Sequence, residues 1–506
     1  MSIATTLLKG SVTRVSQTFV SIAVAFFMMP FLIHELGDHW YGVWTVVGSL
    51  AAAYHLFDMG MATAVTRYAS RFLKLDDHHE ANRVVNTALA IYLVIAAVIA
   101  VASVAIGFAS RWFFDTEADK DIIQLLVMII GVSVALEFPF NALAGVAGAR
   151  LRFHQVALAR IVTTLIGAGL NVWFISHGYG IVALAVITFA TARLSNLLYY
   201  LICKSAFPQL RFRRRFITRT MGKELFQYSA WSFVIAIAYQ LRNNVDNFVI
   251  AGFLSAASVT PYAIGVRLVD YLAQFLSQAT NMFVPVFTGY HAKGEQAEMN
   301  RKMLFVTRIN LVLAMVAGGG LVIFGQAFIA RWMGPDYQIA YWVMVVLLVG
   351  RMIGFANHPL NSAMYAMNRH QVIAKLDLVE VGCNLILSVI LVQFYGLMGV
   401  AFGTMIPLLV LRIVFLPALA CRVLGMPASE YYASLARPIA VMLPTLAIAY
   451  YLVGQAGDLT SYLTIFSYAA AVAFATTLIG VKLSFSREEK DILRQLIPQQ
   501  RLKALL

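Results

Sequence analysis

The sequence predicts an all-α polytopic membrane protein. About fourteen transmembrane helices are expected, as two pseudo-symmetric six-helix bundles plus two C-terminal helices around a central cavity. Three observations predict it. The chain of 506 residues is 60% hydrophobic and only 12% charged, with a mean hydropathy of +0.77, whereas a soluble domain carries about 25% charged residues. The basic residues gather in every second loop. And two landmarks recur at one fixed offset: His154-Gln155-Val156 matches His370-Gln371-Val372, and Tyr179-Gly180 matches Tyr395-Gly396, both 216 residues apart.

Apolar runs between charged or Gly/Pro-rich breaks give candidate spans at 9–33, 40–66, 83–109, 122–148, 153–176, 180–203, 226–252, 260–286, 303–329, 338–364, 372–394, 397–420, 432–454 and 460–482. Each approaches or exceeds the ~20 apolar residues that a membrane helix needs. The opening stretch MSIATTLLKGSVTR has no signal-peptide pattern, so the first run reads as a retained span. Trp40, Tyr41 and Trp44 open the second span as interfacial aromatics, and Trp332 and Tyr337 mark another outer turn. Asp58 reads as a structural end to the second span. Pro30, Pro139, Pro285, Pro359 and Pro407 mark sites where helices bend. From Ser484 onward the tail reads as an amphipathic helix with a Ser486/Glu489 capping box. Ile492, Leu493, Leu496 and Ile497 are expected on the membrane surface.

Basic residues resist translocation, so the basic loops should be cytoplasmic. Loops after even-numbered spans carry Arg67, Arg71 and Lys74, then Arg150 and Arg152, then the run from Lys204 to Lys223, then Lys293, Arg301 and Lys302, then Arg369 and Arg422. The other loops hold only Arg111, Lys120 and Arg331. This alternation places both termini in the cytoplasm and accounts for most of the net charge of +14. The segment RFRRRFITR, 211–219, reads either as an orienting charge cluster or as a seat for anionic lipid headgroups.

The repeat extends upstream: Pro139-Phe140-Asn141 corresponds to Pro359-Leu360-Asn361, and Tyr41 loosely to Tyr262. Spans 1–6 thus read as a copy of spans 7–12. An even number of spans per half puts the pseudo-twofold axis along the membrane normal, a transporter architecture with its substrate site near mid-membrane. The expected organisation is a bundle at 1–205, a basic linker at 206–225, a second bundle at 226–424, two added helices at 425–483 and a tail at 484–506.

Leu36-Gly37, Tyr41-Gly42 and Asp58-Met59-Gly60 form a pattern that resembles bacterial polysaccharide transporters of the Wzx type, in the superfamily shared with MATE-type multidrug extruders. The chain lacks the denser first-helix signature of the lipid II flippase branch. The resemblance implies a flippase of the bacterial inner membrane that works by alternating access. Its cargo would be a polyprenyl-pyrophosphate-linked oligosaccharide destined for exopolysaccharide or O-antigen. It would need no cofactor, bind no nucleic acid, function as a monomer and work beside polysaccharide polymerase machinery.

Basic residues within the spans include Arg14, Arg160, Arg193, Arg242, Arg267, Arg308, Arg351, Lys375 and Arg412. Six acidic ones fall there: Asp58, Glu137, Asp246, Asp270, Asp377 and Glu380. A central arginine costs ~2.5–3.5 kcal/mol on insertion scales, so these groups must pair, snorkel or face water. Arg242/Asp246 and Arg267/Asp270 are spaced to share helix faces. Arg351 and Arg193 find no acid one turn away, which points to a water-filled cavity. Guanidinium forks match phosphate oxygens, so Arg14, Arg242, Arg267, Arg308 and Arg351 are the expected pyrophosphate-binding set. Asp246, Asp270, Asp377 and Glu380 are candidates for proton or sodium coupling. The alternative for Asp377 and Glu380 is neutralisation of Lys375 and nearby arginines.

Two other functions compete. A MATE-like drug or metabolite antiporter would need an acidic, aromatic site. A membrane-embedded glycosyltransferase or ligase would need a sizeable external loop with carboxylates, and the predicted external loops are short. No P-loop, HExxH or CxxC is present. Cys203, Cys383 and Cys421 suggest neither a disulfide framework nor a zinc site, and no catalytic or metal-binding residue is expected.

Overall fold

The computed structural model describes residues 3–112, 117–150, 152–280, 283–457 and 459–496. Among them every regular element is helical. By internal contacts the chain divides into two compact units, Met1–Thr260 and Pro261–Leu506. The first holds α1 (Ile3–Tyr54), α2 (Met61–Lys74), α3 (His78–Ala109), α4 (Glu117–Ala149), α5 (Phe153–Ser176), α6 (Gly180–Ala206) and α7 (Arg219–Phe253). The division falls inside α8 (Ala256–Thr280). Beyond it come α9 (Phe283–Ala292), α10 (Gln296–Trp332), α11 (Gln338–Ala356), α12 (His358–Ala366), α13 (His370–Val410), α14 (Leu416–Leu424), α15 (Ala428–Gln455), α16 (Tyr462–Ser484) and α17 (Arg487–Leu496).

Ten stretches of the described residues are long and apolar enough to cross a membrane. Two of them fold back at glycines. A straight helix of the length of α1 would run about 78 Å against a hydrocarbon core of ~30 Å. Gly37 breaks it, at φ 78° and ψ 165°, a conformation open to glycine because it lacks a Cβ. Gly396 breaks α13 at φ 54° and ψ −133°. Its repeat counterpart Gly180 also sits at positive φ, +64°. The two Tyr-Gly landmarks therefore occupy equivalent turns.

Several predicted spans are more broken than the sequence suggested. The second, expected to run through 40–66, stops at a turn over His55–Asp58. Met59 and Gly60 then adopt left-handed conformations before α2 begins. The Asp58 carboxylate accepts from Tyr92 Oη at 2.5 Å, which fixes this turn against α3. The tenth span is split at Asn357, and Pro359 lies in the first turn of α12. Along the twelfth, a π-helical turn over Leu411–Phe415 follows Pro407. Residues 281–282 of the eighth span lie outside the described residues.

In the first unit the core gathers Met61, Val65, Tyr92, Phe138, Phe207 and Leu225; in the second, Phe287, Met303, Leu360, Leu416 and Tyr431. The outer faces are also apolar: Phe394 is 75% exposed and Val101 71%. Water would penalise such faces and hydrocarbon does not. Gly42 shows why the Tyr-Gly element needs its glycine. A Cβ there would lie 1.8 Å from the Ala256 carbonyl oxygen, and Thr260 Oγ1 donates to the Asp38 carbonyl nearby at 2.7 Å.

Between α6 and α7 the chain forms a strap, residues 207–218, whose backbone is held by α3. Asn82 Nδ2 donates to the Gln209 carbonyl (3.2 Å), and Asn82 Oδ1 accepts the Arg211 N–H (2.7 Å). Asn86 repeats the pattern on the Arg211 carbonyl (2.9 Å) and the Arg213 N–H (3.0 Å). Thr87 closes it with the Phe216 carbonyl (3.3 Å) and the Thr218 N–H (3.2 Å). The register is geometric: four residues of helix rise about 6.0 Å and two residues of extended chain about 6.6 Å.

Candidate functional site

The ionisable residues of the spans fall into distinct groups in each unit. In the first unit, Arg14 on α1 is exposed and stacks over Phe153 of α5, with the guanidinium carbon 5.2 Å from the ring centroid. Arg242 and Asp246 lie one turn apart on α7, the arginine half-buried and the aspartate buried. Arg160 donates through Nε to the Tyr199 hydroxyl at 2.8 Å.

Arg193 is half-buried on α6. Besides the water-filled cavity expected for it, it has protein partners on α4. Its Nη2 donates to the Ser133 carbonyl at 2.7 Å, Glu137 lies within electrostatic reach, and the guanidinium stacks over Phe189 at 5.2 Å.

In the second unit, Asp270 on α8 lies within electrostatic reach of both Arg351 on α11 and Arg267 on its own helix. The acid within reach of Arg351 thus lies on another helix, where sequence spacing does not reach. Two guanidinium groups thus act on one carboxylate, and the three charges sum to an excess of one positive. Arg351 is half-buried and Arg267 exposed.

Arg308 on α10 forms an ion pair with Glu489 of α17. Glu489 also completes the capping box: its Oε2 accepts the Ser486 N–H at 2.9 Å, and Ser486 Oγ accepts the Glu489 N–H at 3.3 Å. The tail does not lie wholly on the membrane surface as expected. Phe485 is buried with its ring 6.0 Å from that of Phe305, and Ile492 packs on the same cluster. The protein core offers Ile492 a drier seat than an interface would. The side chains of Leu493 and Leu496, and all of Ile497, lie outside the described residues.

Arg412 sits in the π turn, 6% exposed, and grips two carboxylates. Its Nε donates to Glu380 Oε2 at 3.0 Å and its Nη2 to Asp377 Oδ1 at 2.5 Å. The Arg412 carbonyl accepts from Asn357 Nδ2 at 2.7 Å, and Asn357 accepts in turn from the Tyr431 hydroxyl. Asp377 and Glu380 do share a face of α13, as their spacing predicts, and Lys375 on that helix is exposed.

Sequence reasoning missed Asn82, Asn86 and Thr87 as holders of the strap. The available signal was a pair of asparagines four residues apart near the start of an otherwise apolar helix. It also missed Glu489 as the partner of Arg308, because i,i+3 and i,i+4 spacing cannot reveal a pair so distant in sequence. Among the described residues no cluster of three or more His, Cys, Asp or Glu side chains is placed to hold a metal ion.

The polysaccharide biosynthesis protein family model matches residues 36–341. The chain belongs to that family. Over 482 residues it is 21% identical to the membrane protein EpsK of Bacillus subtilis (strain 168), covering 94% of each chain. It is 22% identical over 406 residues to a Shigella flexneri protein named as an O-antigen transporter, covering 78% of this chain and 94% of that one. Its fold is that of the lipid II flippase MurJ in its inward closed conformation, with a TM-score of 0.71 at 15% identity, covering 95% of this chain and all of that one. The family, these relatives and the apolar helices make it a multi-pass membrane protein with a flippase-type fold.

Proposed function

We propose that this protein carries polyprenyl-pyrophosphate-linked oligosaccharide repeat units across the bacterial inner membrane by alternating access, for surface polysaccharide assembly. The observation that carries the reading is the Arg267–Asp270–Arg351 group. In a member of a polysaccharide biosynthesis family, this apolar helical unit places two guanidinium groups within electrostatic reach of one carboxylate. Bidentate arginine suits a pyrophosphate, and excess positive charge disfavours a cationic drug, the cargo of an antiporter. Arg14 and Arg242 of the first unit and Arg308 of the second complete the proposed headgroup-binding set. Asp377 and Glu380 balance Arg412, a reading their hydrogen bonds support over ion coupling. Asp246 and Asp270 stay as the acidic positions for gradient coupling. The protein acts without covalent catalysis and as a monomer, with both termini cytoplasmic, which the distribution of basic loops supports.

The test is complementation of a strain lacking the gene. Wild-type protein should restore surface polysaccharide, and cells without it should accumulate the lipid-linked glycan at the cytoplasmic face. Arg267→Ala and Arg351→Ala should each reduce export at least tenfold with protein levels unchanged, since charge-assisted hydrogen bonds contribute about 1.5–3 kcal/mol. Normal export in both variants would remove the site assignment; normal polysaccharide in the deletion strain would remove the function.

A further inference from the structure

The strap between α6 and α7 is more ordered than an orienting charge cluster requires. Basic loops set topology by composition alone, yet here six side-chain hydrogen bonds from Asn82, Asn86 and Thr87 fix the strap's main chain. Phe207, Leu210 and Phe216 are buried beneath it, at 0%, 3% and 4% exposure. Every pin uses strap backbone, so the arginine side chains are left to point outward: Arg211, Arg213, Arg214 and Arg215 are all exposed. Arg215 leans over the Phe216 ring at 5.1 Å. Among these cations stand two exposed apolar side chains, Phe212 (48%) and Ile217 (46%).

Depth follows from helix length. The α3 stretch runs 32 residues, about 48 Å, some 18 Å more than the hydrocarbon core. Its first turns, which bear the pinning residues, therefore stand at headgroup level on the basic-loop side. The second unit makes the corresponding turn more simply. Asn300 Nδ2 and Gln296 Nε2 of α10 donate to the single carbonyl of Leu424, at 3.0 and 3.3 Å, and the chain passes straight into α15 with no arginine run. Pinning the turn is thus common to both units, and the extended cationic strap belongs to the first alone.

We propose that residues 211–217 form a built docking site for anionic phospholipid headgroups of the leaflet on the basic-loop side. The arginines take the phosphates, and Phe212 and Ile217 enter the acyl boundary beside them. Interleaved apolar side chains select a bilayer over a soluble polyanion, because only a bilayer offers hydrocarbon next to phosphate. This inference does not depend on the cargo proposed above, and its readout is lipid retention, not export.

The experiment uses full-length protein in nanodiscs of mixed phosphatidylethanolamine and phosphatidylglycerol, with retained phosphatidylglycerol counted by native mass spectrometry after mild detergent extraction. Each basic residue at an anionic surface contributes roughly fivefold in affinity (about 1 kcal/mol). Arg211→Gln, Arg213→Gln and Arg214→Gln combined should therefore lower retention about a hundredfold. The pins do not use these side chains, so the fold is kept. Phe212→Ser, and separately Asn82→Ala with Asn86→Ala, keep every charge and should each lower retention severalfold. Unchanged retention in the triple variant overturns the proposal. A fall in the triple variant with wild-type retention in both charge-preserving variants also overturns it, since plain charge attraction then suffices.

Discussion

Arg412 presents one guanidinium to two carboxylates from inside the π turn, and all three groups are withdrawn from solvent. Removing the cation leaves Asp377 and Glu380 facing each other with their desolvation uncompensated, a change that costs about 3–5 kcal/mol in buried pairs. Arg412→Ala should lower the thermal unfolding midpoint in detergent markedly. Adding Asp377→Asn and Glu380→Gln should recover part of the loss, because the carboxylates no longer carry the charge. A single variant as stable as wild type would show that the triad bears no such load. The sequence revealed half of this arrangement. Spacing placed the two carboxylates on one face, but their cation lies 32 and 35 residues away along the chain. Arg351 and Arg193 teach the same lesson. Helical periodicity reports neighbours on one's own helix, whereas in a bundle the deciding partner stands on another.

The tail helix α17 shows what one residue can do for an element. The sequence disclosed its start through Ser486 and Glu489, because a capping box is a local arrangement. It did not disclose that Glu489 also reaches Arg308, or that Arg437 Nε holds the Leu483 carbonyl at 2.7 Å just before the helix begins. Glu489→Gln keeps a capping side chain and removes the charge, so the helix should persist while its dock weakens. The expected loss is about 1.5–3 kcal/mol, typical of a hydrogen bond to a charged group. Hydrogen exchange over residues 485–496 should quicken while α16 stays protected. Exchange that matches wild type would mean that Phe485 and Ile492 alone seat the tail. The strap is the opposite case at this scale. Its charge was plain in the sequence, but its fixed backbone was not, since asparagine amides near a helix start look like ordinary solvated groups.

For the whole molecule, the duplicated pattern was legible because it rests on turns. Gly180 and Gly396 keep positive φ at matching places, and an asparagine near the start of α3 and of α10 ties down the turn that closes each unit's six-helix series. Reporter fusions test the resulting topology: insertions at residues 76, 293 and after 484 should report the cytoplasm, and those at 178, 335 and 395 the outside. One reversed pair would break the alternation. The duplication is inexact in several places, and the π turn over Leu411–Phe415 is one of them. A π turn takes up one residue beyond the α-helical count, and about 100° of rotation goes with it. Up to Pro407 α13 keeps the ordinary α-helical phase beyond its break at Gly396. Past Phe415 the side chains of α14 are turned by that rotation from where an unbroken α-helix would carry them. Trimming one residue from that turn would restore the α-helical phase and swing Arg412 away from its two carboxylates; the extra residue is what aims that side chain.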